Sequence, residues 1–374
     1  MKEKALGVAI FALAILLLPM AALNTELPAT AEAAQAHQPI APEAPARAAN
    51  PEQALIITPP QDAQQEAEAE EQAAQRARAS RYGTLEFHIL DEGTGEVHAV
   101  SVRDYICGAV ATEMPASFHA EAIKAQAVAA HTYALYQHNL QQKNADPALR
   151  GADFSADPGG RKGYATEAAM KEFYGSEYAD YYWNKVCGAV DSVLAYVMEY
   201  EEELVLAAYH AISAGKTEAA ENVWGSQAAY LRAVESEGDY MAPGFESQVF
   251  VPQQSARETF LEKYPEMRLS KSPGDWFEDL QYSDSGYITA ARVGGVNMTG
   301  SELRSLFELR SHNLEIQTDD AGIHFTAFGY GHGVGLSQYG ADYLARQGYT
   351  FDQILAHYYS GVSLKVVDFE KLAG

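Results

Sequence analysis

Basic residues are scarce in this chain, and the shortage narrows the functions it can have. The 374 residues include 26 Lys and Arg against 51 Asp and Glu, which gives a formal net charge of -25. A surface of this charge repels phosphate backbones and anionic lipid headgroups, so binding to nucleic acid or to lipid through a basic face is disfavoured. A neutral polymer, a cation or a basic protein suits the charge better.

Cysteine is also scarce. Cys107 and Cys187 are the two cysteines, and each lies in the short string Cys-Gly-Ala-Val. Two cysteines so far apart do not have the spacing of a zinc site. Outside the cytoplasm they could form a disulfide, and otherwise they are small buried apolar residues. The sequence leaves both interpretations open.

The N-terminal residues predict export. Two lysines precede an apolar run over residues 5–23. The run is long for a signal-peptide core and just long enough to cross a bilayer, which favours an uncleaved signal anchor over residues 1–23. Cleavage is the alternative, because Ala29-Thr-Ala31 has the pattern of a cleavage site. We therefore expect a single-pass protein of the cell membrane whose remaining chain lies on the extracytoplasmic side.

Residues 24–80 have the composition of a tether. They are rich in Ala, Glu, Gln and Pro and have almost no large apolar side chains. Such a stretch cannot bury enough surface to fold alone, so it is predicted to be disordered. Ordered sequence begins near Arg81, and we expect one folded domain over residues 81–368.

Short strands and helices alternate irregularly in that domain. A β-hairpin is predicted over residues 84–102 around a turn rich in glycine and acidic residues. Helices are predicted over residues 104–112, 118–143, 170–183, 299–307, 337–347 and 350–357, and further strands over residues 193–199, 204–209, 288–293, 313–317 and 323–328. This order predicts an α+β fold with mixed, mainly antiparallel sheets and packed helices.

A first segment of chemical interest ends at Glu113-Met114-Pro115. The glutamate stands among small and apolar residues, at a turn imposed by the proline. Desolvation there would raise the pKa of its carboxyl group, as a general acid requires near neutral pH. Alternatively Glu113 lies at the start of the following helix, whose dipole would lower that pKa. The residues alone do not decide between these.

A second segment runs from His210 to Glu218 and collects imidazole, hydroxyl, ammonium and carboxylate groups. A sugar-binding site needs many hydrogen-bonding groups and an aromatic face, and Trp224 follows closely. The alternative is a polar loop that hydrogen-bonds its own backbone. The candidate substrate-binding residues of this segment are His210, Ser213, Lys216, Thr217 and Glu218.

In a third segment, Gly329 to Ala341, glycines alternate around His332 before a predicted helix. Alternating glycine marks the close approach of a ligand or of another backbone. A phosphate-binding loop is disfavoured because the Gly-Lys-Ser/Thr ending is absent. His332 has no second metal ligand at helical spacing, and a purely structural histidine is the other alternative. Tyr330, Ser337, Gln338 and Tyr339 belong to the same segment.

Taken in order, these three segments resemble the SpoIID/LytB family. The matches are Glu-Met-Pro-Ala-Ser with its alanine-rich helix (113–130), the His-to-Glu loop (210–218) and Gly-Tyr-Gly-His-Gly-Val-Gly-Leu-Ser-Gln-Tyr-Gly-Ala (329–341), with leucine for the usual methionine. The resemblance covers about residues 82–364. It implies a lytic transglycosylase of sporulation, which cuts peptide-stripped peptidoglycan strands during engulfment. The catalytic glutamate of the family falls on Glu113. The family's glycine-histidine motif, which is expected to line the substrate cleft, falls on His332, Ser337, Gln338 and Tyr339, and Tyr330 in the same motif is a further candidate substrate-binding residue.

Partners and departures follow from the same resemblance. It implies peptidoglycan glycan strands as substrate, and as partners a cell-wall amidase similar to stage II sporulation protein P and other engulfment membrane proteins. Some members bind zinc between the first two segments, but this chain has no cysteine there before Cys187, so neither a metal nor another cofactor is expected. Ala211, Ile212 and Ala214 replace the usual polar loop residues, and His131 stands where members often have arginine.

The mechanism that the resemblance implies needs one carboxylate. A hydrolytic glycosidase uses two, whereas in a lytic transglycosylase the C6 hydroxyl of muramic acid is the nucleophile and the product is a 1,6-anhydro sugar. Glu218 is the candidate second carboxylate, and with it a hydrolytic muramidase would be credible. A further alternative is a non-catalytic wall-binding modifier that stimulates a partner amidase.

Overall fold

The computed structural model describes residues 85–367, and the predicted anchor and tether lie outside these residues. The helices are α1 (Val102–Glu113), α2 (Ala120–Lys143), α3 (Glu167–Tyr174), α4 (Ala179–Val193), α5 (Ala220–Trp224), α6 (Gln253–Lys263), α7 (Gly300–Leu306), α8 (Gln338–Arg346) and α9 (Phe351–Tyr358). The strands are β1 (Glu86–Asp91), β2 (Val97–Ser101), β3 (Phe154–Ala156), β4 (Tyr196–Tyr200), β5 (Glu203–Leu204), β6 (Tyr209–His210), β7 (Glu246–Pro252), β8 (Phe277–Tyr282), β9 (Ile288–Val293), β10 (Val296–Met298), β11 (Leu314–Asp319), β12 (Gly322–Phe328), β13 (Leu336–Ser337) and β14 (Ser363–Val366).

The described residues form small sheets with helices packed around them. The strand orders are β2-β1-β3, β14-β4-β5, β6-β13, β11-β12-β7 and β10-β9-β8. Pairing is antiparallel except between β1 and β3 and between β6 and β13. The predicted α+β class with mainly antiparallel sheets is therefore confirmed. None of the helices in this part of the chain combines the length and apolar composition that a membrane span requires.

Helix α2 is the centre of the first of two hydrophobic cores. Alanine has the highest helix propensity, and its small side chain lets neighbouring helices approach closely. Ala122, Ala125 and Ala129 are fully buried, and α2 packs against α1, α4, α8 and α9. The helix begins after His119, whose Nδ1 accepts a hydrogen bond from the backbone N–H of Glu121 at 3.3 Å.

Residues 246–328 build the second core and form an insertion between two parts of the first. The chain enters and leaves this second lobe at one place, where the rings of Phe245 and Phe328 are 5.9 Å apart. The N–H of Gly329 donates to the carbonyl of Phe245 at 2.7 Å. The core of the second lobe contains Phe260, Trp276, Ile288, Leu303, Ile323 and Phe325. The chain thus returns to the first lobe just as the glycine-rich segment begins.

Two predicted elements differ from the structure. A single helix over residues 170–183 was wrong, because Gly175 adopts φ 76° and ends α3 before α4 starts. A continuous strand over residues 204–209 was also wrong. In its middle the N–H of Leu206 donates to the hydroxyl of Tyr230 at 2.9 Å rather than to a strand.

Cys107 on α1 and Cys187 on α4 are both buried and both free thiols. They are hydrogen-bonding neighbours, and burial together with Cys187 raises the pKa of the Cys107 thiol. The structure thus brings the two Cys-Gly-Ala-Val strings together across a helix interface.

Candidate functional site

Glu113 is the last residue of α1, and the chain turns after it. Met114 is extended, with φ -118° and ψ 141°, as expected before a proline. The following helix starts only at Ala120, so the interpretation of Glu113 as a helix-start carboxylate is wrong. At a helix C-terminus the dipole disfavours negative charge, and this favours the protonated acid.

The carboxyl group of Glu113 is crowded by protein but still reachable. The side chain is half-buried, and desolvation raises its pKa to about 7, against a smaller lowering by Gln338. Gln338 Nε2 lies 3.4 Å from Glu113 Oε2. Tyr105 and Tyr209 are close enough that the charge of Glu113 adds to the effect of burial in raising the pKa of both hydroxyls.

A cavity of about 400 Å³ is lined by Thr112 and Met114, the residues on either side of Glu113 in the chain. Its wall includes the neighbours of Glu113 in the chain together with aromatic side chains of α3 and α4. Arg161 lies over the ring of Phe173 at 4.3 Å, and Phe173 is 54% exposed. The lining residues are Ala111, Thr112, Met114, Pro115, Ala116, Ser117, Gly160, Arg161, Met170, Phe173, Tyr174, Tyr182 and Tyr339. Extended aromatic surface next to an acid is suited to a sugar polymer.

The glycine-rich segment packs directly against the second candidate segment. Gly331 has φ 121°, and a Cβ atom there would lie 2.7 Å from His210 Cβ. Gly335 has φ 73°, and a Cβ atom there would lie 2.0 Å from the carbonyl oxygen of Ala208. The predicted close approach is that of another backbone, where β13 pairs with β6.

Asp239, a residue that no sequence pattern singled out, connects these two segments. Its Oδ2 accepts hydrogen bonds from the N–H and Oγ of Ser213 at 2.9 and 2.5 Å, and its Oδ1 accepts from Ser337 Oγ at 2.7 Å. Ser337 precedes Gln338 at the start of α8, so this buried carboxylate fixes the helix end that carries the partner of Glu113. Asp239 lies in a short 3-10 turn with no motif around it, and no sequence signal points to it.

Lys216, Thr217 and Glu218 have local partners. Lys216 Nζ forms an ion pair with Glu235 at 3.3 Å, and Thr217 Oγ1 accepts from the N–H of Val234 at 2.8 Å.

Glu218 is buried and fully engaged. Its Oε1 accepts from the N–H of Ala219 at 2.7 Å and from Asn222 Nδ2 at 2.9 Å, and its Oε2 accepts from Ser283 Oγ. These hydrogen bonds favour the alternative interpretation of this segment, in which Glu218 belongs to a polar loop whose groups hydrogen-bond to the surrounding protein.

At Ala211, Ile212 and Ala214, which replace the usual polar loop residues, the backbone forms the hydrogen bonds that hold the loop. Ile212 exchanges two backbone hydrogen bonds with Tyr330, at 3.0 and 2.7 Å. The carbonyl of Ala211 accepts from the N–H of Tyr339 at 3.1 Å, and the N–H of Ala214 donates to the hydroxyl of Tyr287 at 3.0 Å. The loop thus keeps its place without the usual side chains.

His210 and His332 lie side by side, with ring centroids 5.6 Å apart, and Trp224 lies 5.3 Å from His332. His210 Nδ1 lies 3.1 Å from the carbonyl of Val334, and His332 Nδ1 accepts from the N–H of Val334 at 3.0 Å. Burial lowers the pKa of His210 to about 4 and that of His332 well below its ordinary value. Both imidazoles are therefore neutral at pH 7.

Tyr330 and Tyr339, both in the glycine-rich segment, pack against side chains from other parts of the chain. The guanidinium of Arg310 lies 4.3 Å from the ring centroid of Tyr330. Tyr339 packs edge-on against Phe118 at 4.9 Å and lines the cavity. Within residues 85–367, no group of three or more His, Cys, Asp or Glu side chains is placed to hold a metal ion.

Comparison with known proteins gives consistent results. The family model for SpoIID, stage II sporulation protein, matches residues 91–200. Stage II sporulation protein D of Bacillus amyloliquefaciens is 31% identical over 275 residues, covering 73% of this chain and 76% of the relative. The protein of the same name from Bacillus subtilis is 27% identical over 79% of this chain and 83% of the relative. An amidase enhancer of Bacillus subtilis is 25% identical over 69% of this chain and 40% of the relative.

Proposed function

Because the chain belongs to the SpoIID family of stage II sporulation proteins, we propose that it is a peptidoglycan lytic transglycosylase whose acid and base are both Glu113. The observation that carries this proposal is the raised pKa of Glu113, about 7, on a half-buried side chain next to a cavity of about 400 Å³. A carboxyl group with that pKa is partly protonated at neutral pH, as a general acid must be.

The proposed reaction proceeds at one glycosidic bond. Glu113 donates its proton to the glycosidic oxygen as the bond from that oxygen to C1 of muramic acid breaks. The C6 hydroxyl of the same sugar then attacks C1, and the Glu113 carboxylate accepts the hydroxyl proton. The products are a 1,6-anhydromuramic end and a new free hydroxyl on the other fragment, and Glu113 is again protonated.

The single-carboxylate mechanism fits the surroundings of Glu113. A hydrolytic muramidase would need a second carboxylate facing the sugar, and the sequence candidate was Glu218. That side chain is 1% exposed and accepts three hydrogen bonds from its own neighbours. It would have to lose these donors before it could activate water.

A second candidate function is that of a wall-binding modifier which stimulates an amidase. The relative named amidase enhancer favours it, and the replacement of polar side chains at Ala211, Ile212 and Ala214 is compatible with it. In either case we propose that an amidase similar to stage II sporulation protein P and other engulfment membrane proteins are partners, and that residues 1–80 anchor and tether the chain at the cell membrane.

Glu113→Gln tests the catalytic proposal. The parent chain should release 1,6-anhydromuramic ends from purified peptide-free glycan strands, and its rate should fall above about pH 7, because the acid is then deprotonated. The variant should lose the activity by about two orders of magnitude or more, as is usual for general acids.

Three outcomes separate the candidate functions. Reducing ends without anhydro sugars would indicate a hydrolase. Unchanged cleavage by Glu113→Gln would contradict the role of Glu113. Stimulation of an amidase by a parent chain that itself cleaves nothing would support the modifier. Glu221→Gln is the matched control, because Glu221 is an exposed glutamate of α5.

A further inference from the structure

Two arginines of the second lobe reach the glycine-rich segment without an acidic partner. Arg310 Nη1 donates to the carbonyl of Gly244 at 3.3 Å, and Arg304 Nε donates to the carbonyl of Leu309 at 3.2 Å. In the part of the chain that the structure describes, neither guanidinium forms an ion pair. By contrast Arg103 and Arg346 are paired with aspartates, at 2.6 and 2.7 Å.

Among residues 85–367 the arginines that form ion pairs with carboxylates are Arg103, Arg292 and Arg346. What distinguishes Arg304 from the other arginines without an ion pair is its burial. A guanidinium that is partly removed from water without an anion carries a desolvation penalty. Burial does lower the pKa of Arg304. A site with two guanidinium groups that have no anionic partner in the protein is suited to bind an anionic ligand.

Tyr330 joins the two arginines. The guanidinium of Arg310 lies over its ring at 4.3 Å, and Arg304 interacts electrostatically with its hydroxyl. Arg310 also lies near the hydroxyl of Tyr339, the residue that follows the Glu113 partner Gln338. Tyr339 lines the cavity, so Arg310 couples the Arg304–Tyr330–Arg310 cluster electrostatically to one residue of the cavity wall.

Neutral imidazoles border the cluster. His210 and His312 are 4% and 2% exposed, and His210 Nε2 and His312 Nδ1 have no hydrogen-bond partner among residues 85–367. Burial and then the charge of Arg304 lower the pKa of His312 to about 3. Buried polar atoms of this kind are nearly always satisfied by a ligand, water or protein group, and neutral imidazoles add no competing negative charge.

We infer that the Arg304–Tyr330–Arg310 cluster is a carboxylate subsite that binds the lactyl group of a peptide-free muramic acid residue. This inference rests on the proposed glycan substrate. Muramic acid carries a lactyl ether whose carboxyl group is an amide while the stem peptide is attached. Once the peptide is removed, the group is a free carboxylate, and a guanidinium can bind it through two parallel hydrogen bonds. The cluster thus selects glycan that an amidase has already processed.

Binding to an inactive chain tests the subsite without any bond cleavage. The full-length Glu113→Gln chain is titrated calorimetrically with a tetrasaccharide of alternating N-acetylglucosamine and N-acetylmuramic acid, and with the same sugar whose lactyl carboxylates are methyl amides. We expect the free acid to bind about tenfold more tightly, as for one charge-assisted pair, and the difference to shrink at high salt.

Adding Arg310→Gln or Arg304→Gln should abolish the preference while leaving the affinity for the amide unchanged, which shows that the variant is folded. Arg292→Gln is the matched control, because this exposed arginine of the same lobe is paired with Glu278 at 2.8 Å, and it should keep the preference. Equal binding of acid and amide by the Glu113→Gln chain would overturn the inference, as would a preference that survives in Arg310→Gln.

The subsite and the proposed reaction can fail separately. A chain that prefers the free acid but releases no anhydro sugar keeps the subsite and refutes the transglycosylase. A chain that cleaves acid and amide strands equally keeps the enzyme and refutes the subsite.

Discussion

The burial of Glu113 has a cost in stability that depends on pH. Its pKa rises from an ordinary 4.5 to about 7 in the folded chain, with desolvation as the main cause. Each pKa unit corresponds to about 1.4 kcal/mol, so the ionised group destabilises the fold by up to about 3 kcal/mol. Between these two pKa values the folded chain holds a proton that the unfolded chain has released, so stability falls as pH rises from 4.5 to 7.

Glu113→Gln removes this dependence because glutamine has a similar shape and no charge. At pH 8 the variant should be more stable than the parent by up to about 3 kcal/mol, and at pH 4 the two should be equal to within about 0.5 kcal/mol. The free energy of unfolding, measured by urea denaturation at pH 4, 6 and 8, checks this. A variant that loses activity while gaining stability is expected when an active site keeps a group in an unfavourable environment.

The control is Glu86→Gln, at an exposed position on β1. Its carboxylate remains hydrated in the folded chain, so the stability difference should stay within about 0.5 kcal/mol at every pH. An equal stability difference for Glu113→Gln at pH 4 and pH 8, or a variant less stable than the parent at pH 8, would refute the desolvation of the acid.

Two further predictions concern packing. Gly335→Ala should lower the free energy of unfolding by more than about 3 kcal/mol, because the new Cβ would lie 2.0 Å from the carbonyl oxygen of Ala208. The control Gly348→Ala, also at positive φ but in open space, should lower it by only about 1 kcal/mol. Equal losses in the two variants would contradict the role of the contact with Ala208. Treatment with oxidised glutathione should join Cys107 and Cys187, with the loss of two hydrogens seen by mass spectrometry and a stability gain of up to about 4.5 kcal/mol for a loop of about 80 residues; two thiols that can still be alkylated after treatment would contradict this.

Local patterns predicted many elements of the first lobe and of its C-terminal part. The hairpin of β1 and β2, the alanine-rich helix α2 and helices α8 and α9 depend on propensity and periodicity within a few residues. By contrast β7, β8, β10, β14 and α6 were missed. Strand β7 pairs with β12, more than seventy residues later in the chain, and a partner so distant leaves no local signal.

The candidate site also has features that local sequence predicts and features that depend on tertiary structure. Glu113 and the glycine-rich segment were identified from their residues and from family resemblance, because a proline-fixed turn and alternating glycines constrain the backbone locally. The sequence did not determine whether the pKa of Glu113 is raised or lowered, because a lone glutamate before a helix could lie at the end of one helix or at the start of the next. The structure places it at the end of α1 and so decides the direction.

What the sequence determined by itself was the acidic character of the chain, the family and the backbone shape of its motifs, all of which depend on residue type and short spacing. The tertiary structure alone decided which polar groups are already satisfied. Glu218 accepts hydrogen bonds from Ala219, Asn222 and Ser283, whereas Arg304 and Arg310 form no ion pair with a carboxylate of residues 85–367. Ala219 and Asn222 are close to Glu218 in sequence, but Ser283 belongs to the second lobe, 65 residues further along the chain. That hydrogen bond therefore depends on how the second lobe folds back against the first.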